Sequence, residues 1–461
     1  MTGLPTAARR TPAAPALSDR HRTLSYAELA AQAARVAGAL AQRGLGPGDR
    51  VATCLPTTLE HAVVIHGIGW LGGTVVPLHP RLTRDELDWQ RQDVAPRLLV
   101  NAETVGELLT AGPEREPAPT ADGDHAAILY TSGTSGRPKP VPLTWANFRA
   151  SVAGSTERLG SHPEDDWLCP LPLAHVAGLA VLARSARLGT AATLLDGFDA
   201  EFVAELLAAG RITLASLVPT LLRRLLDLDR PLPAPRLRAI LLGGGPVDAA
   251  TLERAGALGW PIAPSYGLTE TCSQLTTLAP AEARRKAGTV GLPIAGAEVA
   301  VRQGTVWVRG PMVMAGYLDR PEENAARFDP DGWFNTGDLG QLDAEGYLTI
   351  TTRREDLIVT GGENVYPAEV EAALASHPGV ADSAVLGLPD TEWGQRVAAV
   401  VVVRAGSSPP TPVELTAHLR ERLAPFKLPK SWWFRDELPR TASGKLSRAT
   451  LRSWLEGQAT S

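Results

Sequence analysis

The sequence predicts an α/β protein of more than one domain, and three observations carry that prediction. Short β-branched runs bounded by Gly and Pro alternate with amphipathic helical stretches, the pattern of a largely parallel sheet covered by helices. The chain has 461 residues, 44% of them apolar, more than one hydrophobic core usually organises. After an apolar strand, Tyr347–Ile350, comes the charged run Thr351-Thr352-Arg353-Arg354-Glu355-Asp356-Leu357. Roughly a hundred residues of βα-like pattern follow it, enough for a small second domain.

Taken in order, the first helix is announced by Ser25-x-x-Glu28, a capping box ahead of Leu29, Ala33, Val36 and Leu40, and Gly44 ends it. Val51–Leu55 and Thr74–Leu78 read as buried strands. Thr83-x-x-Glu86 opens a further helix by the same capping logic. Gly112 to Asp124 is Pro-, Glu- and Asp-containing without apolar period and reads as an exposed connection. Ala126–Tyr130 is a short apolar strand, and the alternation continues through Trp167–Leu171, Thr190–Leu195, Ile212–Leu217 and Ala239–Leu242. No internal repeat is visible.

Composition narrows the function. A net charge of −5 with both signs interspersed gives no reason to expect nucleic acid or an anionic membrane as partner. Cys54, Cys169 and Cys272 are odd in number and widely spaced, neither a disulfide framework nor a metal-ligand pattern; each reads as a small buried apolar residue in a reducing compartment. Arg9-Arg10 is followed by no apolar segment of a signal peptide, and no stretch of about 18 apolar residues exists to span a membrane. The expectation is a soluble, cytoplasmic protein.

The strand Ala126–Tyr130 empties into Thr131-Ser132-Gly133-Thr134-Ser135-Gly136-Arg137-Pro138-Lys139, which has the composition of a phosphate cradle. Glycines let backbone approach an anion, hydroxyls and N–H groups donate to its oxygens, and Lys139 adds a point charge. The spacing is not that of the Walker loop. By itself the run is also readable as a plain turn.

The order of these residues resembles the adenylate-forming superfamily: acyl- and aryl-CoA synthetases, peptide-synthetase adenylation domains and luciferases. The family usually has Gly after the lysine, whereas here Pro140 removes one N–H donor. Four further motifs follow in the family's order, so the resemblance spans essentially the whole chain. Tyr266-Gly267-Leu268-Thr269-Glu270-Thr271 is readable as a solvated turn, but opposite a phosphate cradle Glu270 would be the carboxylate Mg²⁺ needs. Upstream, Gly243-Gly244-Gly245 follows a strand and leaves room for a flat ligand. Trp333-Phe334-Asn335-Thr336-Gly337-Asp338 offers a carboxylate for two vicinal hydroxyls, or a turn cap. Arg353 to Ile358 leads into Gly361-Gly362-Glu363-Asn364-Val365-Tyr366-Pro367, and Leu438 to Lys445 ends on a lysine that composition alone would leave on the surface.

The resemblance implies a role for each. Thr131, Ser132, Gly133, Thr134, Ser135, Gly136 and Lys139 would hold the β- and γ-phosphates of ATP. Gly243, Gly244 and Gly245 would lie against adenine and the acyl group, with Tyr266 and Gly267 at the adenine, Thr269 at the α-phosphate and Glu270 on Mg²⁺. Asp338 would hold the ribose with Arg353; Glu355 or Asp356 would be the hinge; Gly361 and Gly362 would approach the CoA pantetheine arm; Lys445 would reach the α-phosphate. The implied cofactors are ATP, Mg²⁺ and coenzyme A. The implied fold is a large N-terminal domain, residues 1–353, of two α/β subdomains plus a distorted β-barrel, with a small mobile α+β lid, residues 354–461.

Specificity lies in weaker signals. Pro170 to Leu179 is similar to the family segment whose His, here His175, gates the acyl and pantetheine channels; a lone loop His is otherwise more often structural. Ala183-Arg184-Ser185 and Ser273-Gln274 resemble the branch serving menaquinone biosynthesis, whose substrate has an aromatic ring and a second, aliphatic carboxyl arm. Arg184 or Gln274 would meet that second carboxylate; the other reading pairs Arg184 with an acidic neighbour on a surface helix. The partners expected are therefore a small carboxylic acid, ATP and CoA, and a homodimer is compatible with this. Three alternatives stay open: another aryl- or fatty-acyl-CoA ligase, an adenylation enzyme loading a carrier protein, and a non-catalytic binder. Against the last, a binder has no need of Lys445.

Overall fold

The computed structural model describes residues 3–110, 112–132, 138–228, 230–245, 247, 249–352, 357–439 and 448–459. The chain packs as two compact units, one of Met1–Pro80, Val94–Tyr130 and Pro140–Thr352, the other of Arg81–Asp93, Thr131–Lys139 and Arg353–Ser461.

Two α/β sheets and a smaller antiparallel one build the first unit. In the nine-stranded sheet the central strands Ile262–Tyr266, Ala239–Leu242, Leu214–Leu217, Asp166–Cys169, Ala191–Leu194 and Pro15–Ser18 lie side by side in that order, all parallel. Their side chains are buried almost without alternation, as strands covered on both faces require. Antiparallel strands Thr276–Thr277 and Leu292–Pro293 finish one edge and Thr23–Ser25 the other. The five-stranded sheet orders Leu98–Val100, Arg50–Thr53, Thr74–Pro77, His125–Ser132 and Pro138–Thr144. A four-stranded antiparallel sheet runs Glu298–Arg302, Thr305–Arg309, Phe334–Leu342 and Leu348–Thr352.

Local signals in the sequence act as their chemistry requires. Ser25 and Glu28 form the reciprocal capping box of the helix Tyr26–Gln42, and Gly44 beyond its end takes a φ of 78°. The Glu86 backbone N–H donates to the Thr83 hydroxyl at 3.3 Å, and the Thr83 N–H donates to the Glu86 carboxylate at 2.9 Å. The stretch after Gly112 is less free than its composition indicates. A Cβ on Gly112 would lie 2.0 Å from the Arg35 carbonyl oxygen, so the segment passes directly over the helix Tyr26–Gln42.

In the second unit the strands Val380–Asp390 and Gly394–Val403 form a long hairpin, extended by Ser431–Arg435 and Ile358–Thr360. Period-2 alternation divides its side chains. Val385, Val397, Ala399 and Val401 pack with Val370, Leu374, Leu415 and Leu419 of the helices Pro367–Ala375 and Pro412–Arg420. Ala384, Leu386, Ala398 and Val400 face the other way, onto Leu451 and Leu455 of the helix Arg448–Ala459. No helix among the described residues is long and apolar enough to cross a membrane.

Candidate active site

Parallel strands deliver their carboxyl ends to one edge, and that edge collects the motifs. Ala239–Leu242 and Ile262–Tyr266 run parallel with Leu242 opposite Pro264, so Gly243–Gly245 and the loop from Gly267 leave the sheet side by side. Asp166–Cys169 is parallel in the same sheet, and the loop after it carries His175. Gly244 has a φ of 82° and a Cβ there would stand 3.0 Å from Val218, so the turn is both left-handed and close to its neighbour. Gly267 is tighter still: a Cβ would lie 1.6 Å from the Ser273 carbonyl oxygen.

This closeness lets the chain fold back at once. Thr269–Thr271 form one turn of 3₁₀ helix, and Cys272 and Ser273 follow with φ of 51° and 87°. Glu270 lies on that turn, 2% exposed. The Tyr317 hydroxyl donates to its Oε1 at 2.7 Å, and the Met314 N–H donates to its backbone carbonyl at 2.8 Å. Among the described residues it forms no salt bridge. A buried carboxylate neutralised by no cation and holding a second oxygen is the donor set a hard divalent ion takes.

The Tyr266 hydroxyl donates to Asp338 Oδ2 at 2.6 Å, both residues buried. Asp338 comes from the strand Phe334–Leu342, where its N–H donates to the Thr336 hydroxyl and Gly337 takes a φ of 77°. The residues implied for adenine and ribose are therefore in direct contact. Pro140, where a glycine was expected, uses its carbonyl to accept from the Leu318 N–H at 3.0 Å, one residue beyond Tyr317. Lys139 is 7% exposed and Thr131 half-buried.

Arg184 is on the helix Val176–Leu188, for which His175 is the N-terminal flanking residue; the His175 and His79 rings are 5.5 Å apart. Arg184 is not on a surface: it is 1% exposed and pairs with no carboxylate among the described residues. Its Nη2 donates to Gln274 Oε1 at 2.5 Å, and the guanidinium lies 4.8 Å above the Trp167 ring. Nε and Nη1 are buried with no hydrogen-bond partner among the described residues. Burial lowers its pKa to about 10, and pushes the neighbouring Cys169 and Cys272 thiols up to about 11 and about 12. Gln274 is fixed by donating from Nε2 to the Thr277 hydroxyl at 2.8 Å.

In the second unit Gly361 and Gly362 have φ of 56° and 84°, and the Gly361 N–H donates to the Trp393 carbonyl at 2.8 Å. Gly133, Thr134, Ser135, Gly136, Arg353, Glu355, Asp356 and Lys445 lie outside the described residues, as does the side chain of Ser132. Tyr317 and Trp167 were missed by the sequence reading. The first stands in a Gly-Tyr pair before a helix-opening Pro, a signal only of a turn.

Comparison with known proteins fits this geometry. Residues 4–318 match the AMP-binding enzyme family, and residues 369–445 match the AMP-binding enzyme C-terminal domain. The chain belongs to the AMP-binding enzyme family. Among its members, a 2-succinylbenzoate–CoA ligase of Geobacillus kaustophilus is 40% identical, over 96% of this chain and 95% of that protein. One from Bacillus subtilis is 37% identical, over 98% and 97%. A structure of o-succinylbenzoate CoA synthetase from Bacillus subtilis, bound with its product analogue OSB-NCoA, has a TM-score of 0.92 at 37% identity, covering 97% of both chains. The same enzyme in complex with ATP and magnesium ion gives 0.74 at 36% identity, over 98% and 99%. This family member is an AMP-forming acid–thiol ligase.

Proposed function

We propose that the chain is a 2-succinylbenzoate–CoA ligase of menaquinone biosynthesis, working in the cytoplasm with ATP, Mg²⁺ and CoA through an acyl-adenylate. The observation that carries the substrate is Arg184. A buried guanidinium without a carboxylate costs several kcal/mol, and two of its donor nitrogens have no partner among the described residues. An acid with a second carboxylate arm would provide the missing charge; a monocarboxylic acid would not. The full-length likeness to the named relatives supports the same substrate.

A free carboxylate is a poor acyl donor because oxide would have to leave. Its oxygen attacks the α-phosphorus of ATP, the bond to the β-phosphate oxygen breaks, and pyrophosphate departs. The CoA thiol, losing its proton, then attacks the acyl carbon and AMP leaves. Tyr266 and Asp338 bind the nucleoside, and Glu270 would hold Mg²⁺, which offsets negative charge on the phosphates. Lys139 and Lys445 would meet the charge that develops in the first step. Residues 1–353 would form the ATP- and acyl-binding domain and 354–461 the lid, turning at Glu355 or Asp356 to exchange Lys445 for the Gly361-Gly362 loop.

The test is AMP release and thioester mass with Mg-ATP, CoA and 2-succinylbenzoate, with benzoate and medium-chain fatty acids in parallel. Turnover confined to 2-succinylbenzoate is expected, and Arg184→Ala should raise its Michaelis constant about tenfold or more, as the loss of one charge-assisted contact implies. Equal turnover of the other acids, or an unchanged constant in Arg184→Ala, sinks the substrate assignment. Acyl transfer only to a carrier protein would replace CoA as acceptor.

A further inference from the structure

We propose that Tyr317 is the positioning residue of the metal-binding carboxylate, and that Asn324 in turn holds Tyr317 in place. This rests on Glu270 being the Mg²⁺ ligand.

Glu270 sits on a single 3₁₀ turn, and the outer torsions of its long side chain are set by what the carboxylate touches, not by the backbone. Its carboxylate is held, through Oε1, by the Tyr317 hydroxyl at 2.7 Å. One occupied oxygen fixes the plane of the group and leaves Oε2 for a cation, the way outer groups orient metal ligands. The donor's chemistry matters as much as its position. A lysine or arginine here would neutralise the carboxylate and compete with the ion; a phenol donates a hydrogen bond and leaves the charge intact.

Tyr317 is itself clamped. Its backbone N–H donates to Asn324 Oδ1 at 2.7 Å, and Asn324 Nδ2 donates back to the Tyr317 carbonyl at 2.9 Å. Asn324 stands on the helix Pro321–Arg327, and the approach is so close that a Cβ on Gly316 would lie 2.8 Å from Nδ2. The next residue, Leu318, is bonded to Pro140 on the strand that leaves the phosphate-loop motif. A ring buried to 4% needs no hydroxyl to pack, so the hydroxyl's place on Glu270 is the informative feature.

The experiment measures ATP binding to the full chain with and without Mn²⁺, whose ratio of dissociation constants isolates the metal's contribution. In Tyr317→Phe that enhancement should fall about tenfold, while metal-free ATP binding stays within about twofold of wild type. Glu270→Gln should abolish the enhancement. If Glu270→Gln abolishes it and Tyr317→Phe leaves it whole, the role of Tyr317 is overturned and the Glu270 assignment stands. If Glu270→Gln also leaves it whole, that assignment falls and this inference with it. Should Tyr317→Phe not yield folded protein, Asn324→Ser decides: an enhancement equal to wild type overturns the proposal.

Discussion

At the residue scale, burial decides what a charged group does, and sequence spacing does not report burial. Arg184 could have been a surface cation from its helix pattern alone; only the packing of Trp167 and Gln274 around it shows a guanidinium kept from water. Tyr266 and Asp338 were each legible as motif residues, yet their 2.6 Å contact joins positions 72 residues apart, which no local pattern encodes. Asp166 shows the same effect in a group outside the site. Burial pushes its carboxyl up to about 6, against the opposing hydrogen bonds from Thr193, from an ordinary value of 3.8. The folded state thus favours the protonated form. Its stabilising contribution is complete below about pH 4 and lost as the pH rises to about 6. Asp166→Asn should therefore raise the thermal midpoint at pH 8 by an amount equivalent to about 1–3 kcal/mol, and have little effect at pH 4. Equal shifts at both pH values would contradict the burial argument.

Among elements, the legible part was the alternation of strands and capped helices, because each is set by a handful of adjacent residues. Ala239–Leu242 was legible to the residue and the strands Arg50–Thr53, Thr74–Pro77, Asp166–Cys169, Ala191–Leu194 and Leu214–Leu217 within two residues, whereas Pro15–Ser18, Leu98–Val100 and Ile262–Tyr266 were not expected as strands. Their order in the sheet was not readable, since it depends on which hydrophobic faces meet across long separations. That order brings the loops after Leu242 and Tyr266 together, so the site is a property of sheet topology as much as of motif. Gly267 is the most exacting position in it, with the Ser273 carbonyl where a side chain would start. Gly267→Ala should displace the Thr269–Thr271 turn, lower the thermal midpoint and cut ATP–pyrophosphate exchange at least a hundredfold. A variant with normal exchange would mean that the turn tolerates a different path.

Over the whole molecule, the second unit gathers residues from distant parts of the chain. Lys427 Nζ donates to Glu86 Oε1 at 2.5 Å and to Glu369 Oε1 at 2.7 Å, with all three side chains under 10% exposed. Burial opposes the ammonium charge, yet Glu369 and Glu86 outweigh it and raise the Lys427 pKa above its ordinary value. Removing the cation leaves two buried carboxylates facing each other. Lys427→Met should destabilise this unit by about 3–5 kcal/mol, seen as faster amide exchange in Val380–Asp390 and unchanged exchange in Ala239–Leu242. Uniform acceleration, or none, would refute a local role for the cluster. Capping chemistry made the helix opened by Thr83 and Glu86 legible, but not the second use of Glu86 as a partner to Lys427.

That pairing also bears on how the protein is made. Glu86 leaves the ribosome 341 residues before the lysine that will neutralise it. At about 5–20 residues per second this is roughly 17–70 s of synthesis. Throughout that interval the nascent chain carries the segment Arg81–Asp93 without the later residues that will pack with it.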